Sequence, residues 1–148
     1  MRRYNLTPEE ILVVDDGSTD GSDQIIKEYE EKYPQKVKGF FKENGGQASA
    51  RNLALQYAQG EYLGFVDSDD WVSEDFVETL LNAAETDGAD IVMSDFYYAF
   101  ESGKTYAVST CGSVSTDTNH KLKVALADPC STTRLYRKTL FTENDISF

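Results

Sequence analysis

Apolar residues follow two spacings along the chain, and the spacing switches at regular intervals. Short apolar-rich runs occur at residues 11–14 (Ile11, Leu12, Val13, Val14), 37–42, 61–66 and 91–93. Such short runs, rich in β-branched and aromatic residues and bounded by turn formers, predict buried strands. Between them the apolar positions recur every three or four residues. Ile25, Ile26, Tyr29 and Tyr33 form one stripe; Ala50, Leu53, Ala54, Tyr57 and Ala58 a second; Phe76, Val77, Leu80, Leu81 and Ala84 a third. Each stripe predicts an amphipathic helix. Punctuation agrees with this reading. Ser22 and Ser73 are placed to cap the first and third helices, and Pro34 to end the first. Gly45-Gly46 breaks the second strand, and Gly60 and Gly88 follow the second and third helices.

The order β-α-β-α-β-α-β predicts an α/β fold with a mostly parallel sheet and helices on both faces. After Ser94 the pattern is less regular. Residues 97–100 and 105–109 flank Glu101-Ser102-Gly103-Lys104 and predict a hairpin. Residues 120–126 read as helical, Leu135-Tyr136 as a short strand, and residues 140–144 as a closing helix. This tail reads as a small β/α extension at the C-terminal end. There are no internal repeats.

Two of the strands end in carboxylates. Asp15-Asp16 follow the first, and Asp67-Ser68-Asp69-Asp70 follow Phe65-Val66 at the end of the third. A carboxylate at the mouth of a core strand is costly to desolvate and calls for a partner. In open parallel sheets ligands bind beyond the carboxyl ends of the strands. Asn44-Gly45-Gly46 belongs to the same edge, and the helix after it carries Arg51 and Asn52 in its first turns. A helix N-terminus with an arginine nearby suits an anion such as a diphosphate. Asp67-Ser68-Asp69 offers hard oxygens to Mg²⁺ or Mn²⁺, which take few carboxylates and share their shell with phosphate and water.

Composition narrows the partners. The chain has 148 residues, enough for one domain with a core, and is 40% hydrophobic. Its net charge of −12 argues against nucleic acid. Cys111 and Cys130 have no metal-ligand spacing and read as free thiols in a reducing compartment. No stretch is apolar enough to span a membrane, and Met1-Arg2-Arg3-Tyr4 lacks the apolar region of a signal peptide.

The blocks Ile11-Leu12-Val13-Val14-Asp15-Asp16-Gly17-Ser18-Thr19-Asp20, Asn44-Gly45-Gly46 with Ala50-Arg51-Asn52, and Gly60 through Asp70 together resemble the family 2 glycosyltransferases. Arg134-Leu135-Tyr136-Arg137-Lys138 with Leu140-Phe141 resembles a later segment of that family. The resemblance is dense from Ile11 to about Leu81. It implies a GT-A fold, Rossmann-like, with residues 10–93 as the nucleotide-sugar-binding core and 94–148 as the start of an acceptor-side region. It implies inverting transfer of a sugar from a nucleotide donor, often UDP-linked, to a carbohydrate or lipid-linked acceptor, as in bacterial polysaccharide synthesis. The expected setting is the cytoplasm, at the inner face of the membrane for a membrane-associated full-length form.

By the same resemblance, Asp16 with Asp15 and Arg51 lie on the nucleotide, Asp16 at the base and Arg51 near the base or diphosphate. Asp67 contacts the ribose or the metal shell, and Asp69 ligates Mg²⁺ or Mn²⁺. Two family parts are missing from the pattern: a first strand and helix ahead of the Ile11–Asp16 block, where only ten residues precede Ile11, and the acidic motif downstream of the Leu135-Tyr136 segment that supplies the general base. Glu143 and Asp145 do not stand in that motif's context. The chain is therefore expected to be a fragment of a longer enzyme, weak as a catalyst by itself and prone to self-associate along an exposed sheet edge.

Other readings stand beside this one. Asp16-Gly17-Ser18-Thr19-Asp20-Gly21 opens like a calcium loop, but Lys27 holds the position that needs a glutamate. Trp71 departs from a phosphatase nucleophile motif, and no Gly-x-Gly-x-x-Gly follows the first strand. A nucleotide-sugar-binding or scaffold domain without turnover is the alternative function. Asp70 reads as a helix-entry acid favoured by the helix dipole, and His120 reads as exposed.

Overall fold

The computed structural model describes residues 10–100, 102–108 and 132–148. They form two compact units. One runs to Glu61 and resumes at Lys138–Phe148; the other covers Tyr62–Arg137.

In the first unit, β1 (Ile11–Asp15) and β2 (Val37–Phe41) pair in parallel, from Ile11 opposite Val37 to Asp15 opposite Phe41. Helix α1 (Ser22–Lys32) makes the crossover between them, as a parallel pair requires. Gly39 lets α1 sit close on β2, because a Cβ there would lie 2.6 Å from Ile26 Cγ2. The Gly39 N–H donates to Glu30 Oε1 at 2.7 Å, so an acid of the helix satisfies a strand amide. Helix α2 (Gln47–Tyr57) follows, and its Tyr57 ring packs on Phe40 with centroids 4.7 Å apart. A short helix α4 (Thr139–Thr142) buries Phe141 in the same unit. Lys138 ties this segment in: its N–H donates to Glu61 O at 2.8 Å and its Nζ to Ala58 O at 2.6 Å.

In the second unit, β3 (Tyr62–Gly64), β4 (Ile91–Met93) and β7 (Arg134–Arg137) form a sheet in the order β3-β7-β4. Strand β7 is antiparallel to both neighbours. Helix α3 (Phe76–Asp87) buries Leu80 and Ala84 against Leu135 of β7, with Tyr62, Phe76, Leu81 and Val92 around them. This cluster is the core of the unit. Strands β5 (Phe96–Ala99) and β6 (Thr105–Val108) form the hairpin expected there.

The α/β class and element order match the sequence pattern, and β1 and β2 pair in parallel as the β-α-β order implies. The ends of several elements differ. Helix α1 starts at Ser22 with Gly21 (φ 88°) as its N-cap, so Ser22 is the first helical residue and not the cap. The Ser22 N–H and hydroxyl both turn back to Asp20 Oδ1, at 3.1 and 2.7 Å. Helix α3 is capped by Asp75 and not by Ser73. The chain makes a turn first, with Phe76 N–H on Ser73 O at 3.1 Å. Strand β3 ends at Gly64, shorter than the apolar run that contains it. The expected helix at 120–126, His120, Cys111 and Cys130 lie outside the described residues. Among the described residues no helix is long and apolar enough to cross a membrane.

Candidate functional site

At the end of β1 two adjacent aspartates do different work. Asp15 is only 6% exposed. Its Oδ1 accepts the Ser18 N–H at 2.7 Å, closing an Asx-type turn, and its carbonyl accepts the Lys42 N–H at 3.0 Å. Its carboxylate therefore shapes the exit loop from within. Gly17 follows in the left-handed region at φ 82°.

Asp16 instead reaches across to the loop after β2. Its Oδ1 accepts the Gly45 N–H at 3.0 Å and the Lys42 ammonium, and its Oδ2 accepts the Gly46 N–H at 2.7 Å. The Lys42 hydrogen bond, with help from the two amides, holds the Asp16 carboxyl below the usual carboxylate value of 3.8. Helix α2 begins directly after these glycines, and no side chain of its own caps it. Asp16 thus fastens the loop that leads into the α2 N-terminus. The sequence pattern brought Asp16 and Gly45-Gly46 to one edge, and the structure joins them by hydrogen bonds. Lys42 was not legible as a member of this group: it reads as the polar end of a strand, and nothing local announces a partner 26 positions earlier in the chain.

Arg51 is half-buried on α2, and its guanidinium lies over the Phe148 ring, 5.5 Å from the centroid. Its neighbour Asn52 bonds the Phe148 backbone twice, donating Nδ2–H to the carbonyl (3.1 Å) and accepting the N–H at Oδ1 (2.9 Å).

The other acidic cluster belongs to the second unit. After β3, the Phe65 ring meets Tyr136 edge-on at 6.0 Å, just before the acids. Asp67 is half-buried, and its carbonyl accepts the Asp70 N–H at 3.0 Å to close a tight turn. Ser68, Asp69 and Asp70 are exposed, and Trp71 stands 76% exposed beside them. The Asp69 carboxylate makes no hydrogen bond or ion pair with the described residues. No group of three or more His, Cys, Asp or Glu side chains gathers at metal-binding geometry among the described residues. Mg²⁺ and Mn²⁺ need no such cage, since one or two carboxylates with phosphate oxygens and water complete their shell. An exposed Asp69 beside Asp67 on a closed turn fits that donor set. Glu143 and Asp145 are exposed at the end of α4, with Asp145 at φ 52°.

The chain shares this sequence and fold with proteins of one class. The profile described as Glycosyl transferase family 2 matches residues 2–144. Glycosyltransferase GlyA of Streptococcus pneumoniae is 44% identical over 93 residues, covering 63% of this chain and 13% of that protein. The poly(ribitol-phosphate) β-N-acetylglucosaminyltransferase TarS of Staphylococcus aureus is 35% identical over 147 residues, covering 96% of this chain and 24% of TarS. Crystal structures of S. aureus TarS residues 1–349 superpose closely. The complex with UDP gives a TM-score of 0.72 at 26% identity, covering 97% of this chain and 42% of that one. The complex with UDP-GlcNAc gives 0.71 at 30% identity, covering 94% and 39%.

The chain belongs to glycosyl transferase family 2, and its α/β architecture is that of the GT-A enzymes. It spans less than half the length of the relatives above.

Proposed function

We propose that this chain carries the donor-binding part of an enzyme that moves a sugar from a UDP-sugar to an acceptor hydroxyl with inversion. What carries the reading is the Asp67-Ser68-Asp69 turn, with Asp69 exposed and Asp67 half-buried, in a chain whose fold follows TarS crystallised with UDP and with UDP-GlcNAc. Asp16 meets the base and Asp67 the ribose. Arg51, already a cation on α2, lies toward the base or diphosphate.

In the reaction the acceptor oxygen bonds the anomeric carbon from the face opposite the leaving group. The bond from that carbon to the diphosphate oxygen breaks, and the electron pair departs with UDP. The acceptor proton goes to a general base, which no residue of this chain is assigned to supply. Asp69, with Asp67, would hold Mg²⁺ or Mn²⁺, whose positive charge offsets the charge gathering on the departing diphosphate. The acceptor is a carbohydrate or lipid-linked glycan, and the reaction runs in the cytoplasm.

Calorimetric titration of UDP into the chain, with and without Mn²⁺, tests this. Binding that strengthens with Mn²⁺ and loses that gain in Asp69→Asn supports the reading. Absence of UDP binding in both conditions refutes it.

A further inference from the structure

A carboxylate has about four acceptor positions, two on each oxygen. In Asp16, Oδ1 takes both the Lys42 ammonium and the Gly45 N–H, and Oδ2 takes the Gly46 N–H. Three donors from this chain therefore leave one lone pair, on Oδ2. The two backbone donors are fixed by the Gly45-Gly46 loop. Lys42 is the adjustable one: it follows β2 directly, where its own N–H bonds Asp15 O, and its ammonium also bonds Glu43 O at 2.6 Å. The two side chains are only about a fifth exposed, at 22% for Lys42 and 20% for Asp16.

We propose that Lys42 is a positioning residue of the nucleotide site, fixing the Asp16 carboxylate so that its one remaining acceptor presents to a base N–H. The inference rests on the nucleotide reading above and deepens it. Lys42 touches no ligand itself. It fills Oδ1 and keeps the carboxylate charged and oriented, so that an imide N–H of a uracil-type base finds an acceptor at Oδ2. A cytosine-type base, whose ring nitrogen at that edge is an acceptor, meets an unpaired carboxylate oxygen. Lys42 would thus sharpen selection between two pyrimidine nucleotides without contacting either.

The test is calorimetric titration of UDP and of CDP into the chain and into Lys42→Met, Lys42→Gln and Lys42→Arg. The unmodified chain should prefer UDP by about tenfold, the scale of one hydrogen bond to a charged group. Lys42→Met and Lys42→Gln should weaken UDP by about fivefold while leaving CDP nearly unchanged, as expected of a partly exposed ion pair. Lys42→Arg should restore most of the preference. A purely structural lysine would weaken UDP and CDP by the same factor and lower the melting temperature, and that result overturns the proposal. So does unchanged UDP affinity in both neutral variants. If the unmodified chain binds neither nucleotide, the donor-site reading itself fails. Intact UDP binding with indifferent Lys42 variants sinks the positioning role alone.

Discussion

Gly17→Ala is the substitution that bears most sharply on how the two loops meet. Gly17 has φ 82°, where an L side chain costs about 1–2 kcal/mol. A Cβ added there would also lie 2.9 Å from the Asn44 backbone nitrogen and 3.3 Å from Asn44 Cβ. Backbone cannot swing aside as a long side chain can, so the overlap adds about 1–3 kcal/mol. The sum is about 2–5 kcal/mol, a large share of the stability of a small domain. Gly21 supplies the control. It has φ 88° and nothing within 4 Å of an added Cβ, so Gly21→Ala should cost only the conformational part. Urea unfolding of both variants, followed by circular dichroism and extrapolated to water, measures the difference. Gly17→Ala should be the less stable by about 1–3 kcal/mol. Because the displaced residue is Asn44, next to the amides that Asp16 holds, it should also weaken UDP binding where Gly21→Ala does not. Equal losses of stability in the two variants would refute the close approach of the β1 and β2 exit loops.

Leu80→Ala, in the core cluster with Ala84 and Leu135, should cost about 3 kcal/mol by thermal unfolding, since the site cannot collapse around the lost methyls. Asp69→Asn should leave the melting temperature within about 1 °C, because an exposed carboxylate with no partner among the described residues contributes little, while removing the Mn²⁺-dependent part of UDP binding. Acid should destabilise the chain. Asp16 (beside Lys42), Asp20 (beside the Ser22 hydroxyl), Asp23 (beside Lys27) and Asp75 (beside the Ser73 hydroxyl) all sit below the ordinary 3.8 when folded. The unfolded chain therefore takes up protons first as pH falls. The stability these groups add is present above about pH 4 and fades as pH drops through their lower folded values. Melting temperatures at pH 6, 4 and 3 should decline most over the last step, and an unchanged melting temperature there would contradict the pairings.

What the sequence revealed depended on how local the signal was. The β1 run from Ile11, the α2 stripe with Ala54 and Tyr57, and β4 at Ile91–Met93 were legible because a continuous apolar run or a stripe recurring every three or four residues is written in neighbouring positions. The caps slipped because Gly21 and Asp75 take the N-cap positions, while Ser22 and Ser73 hydrogen-bond neighbouring acids. The place of β7 was not legible. Its run Leu135-Tyr136 predicts a strand, but its insertion between β3 and β4 depends on partners about 40 to 75 residues away in the chain. The same division holds in the site. The acids at both strand ends and the glycine pair stand out in the sequence. The bonds from Asp16 to Gly45, Gly46 and Lys42 do not, since no periodicity records a contact between two loops.

The central claim is that this chain holds a nucleoside diphosphate through the acids at its strand ends. A crystal structure of the chain grown with UDP and Mn²⁺ tests it most directly, with anomalous scattering to mark the manganese. The account predicts the uracil against Asp16 and a manganese peak at the Asp69 carboxylate. A nucleotide bound away from Asp16, or manganese bound elsewhere with Asp69 untouched, would contradict it.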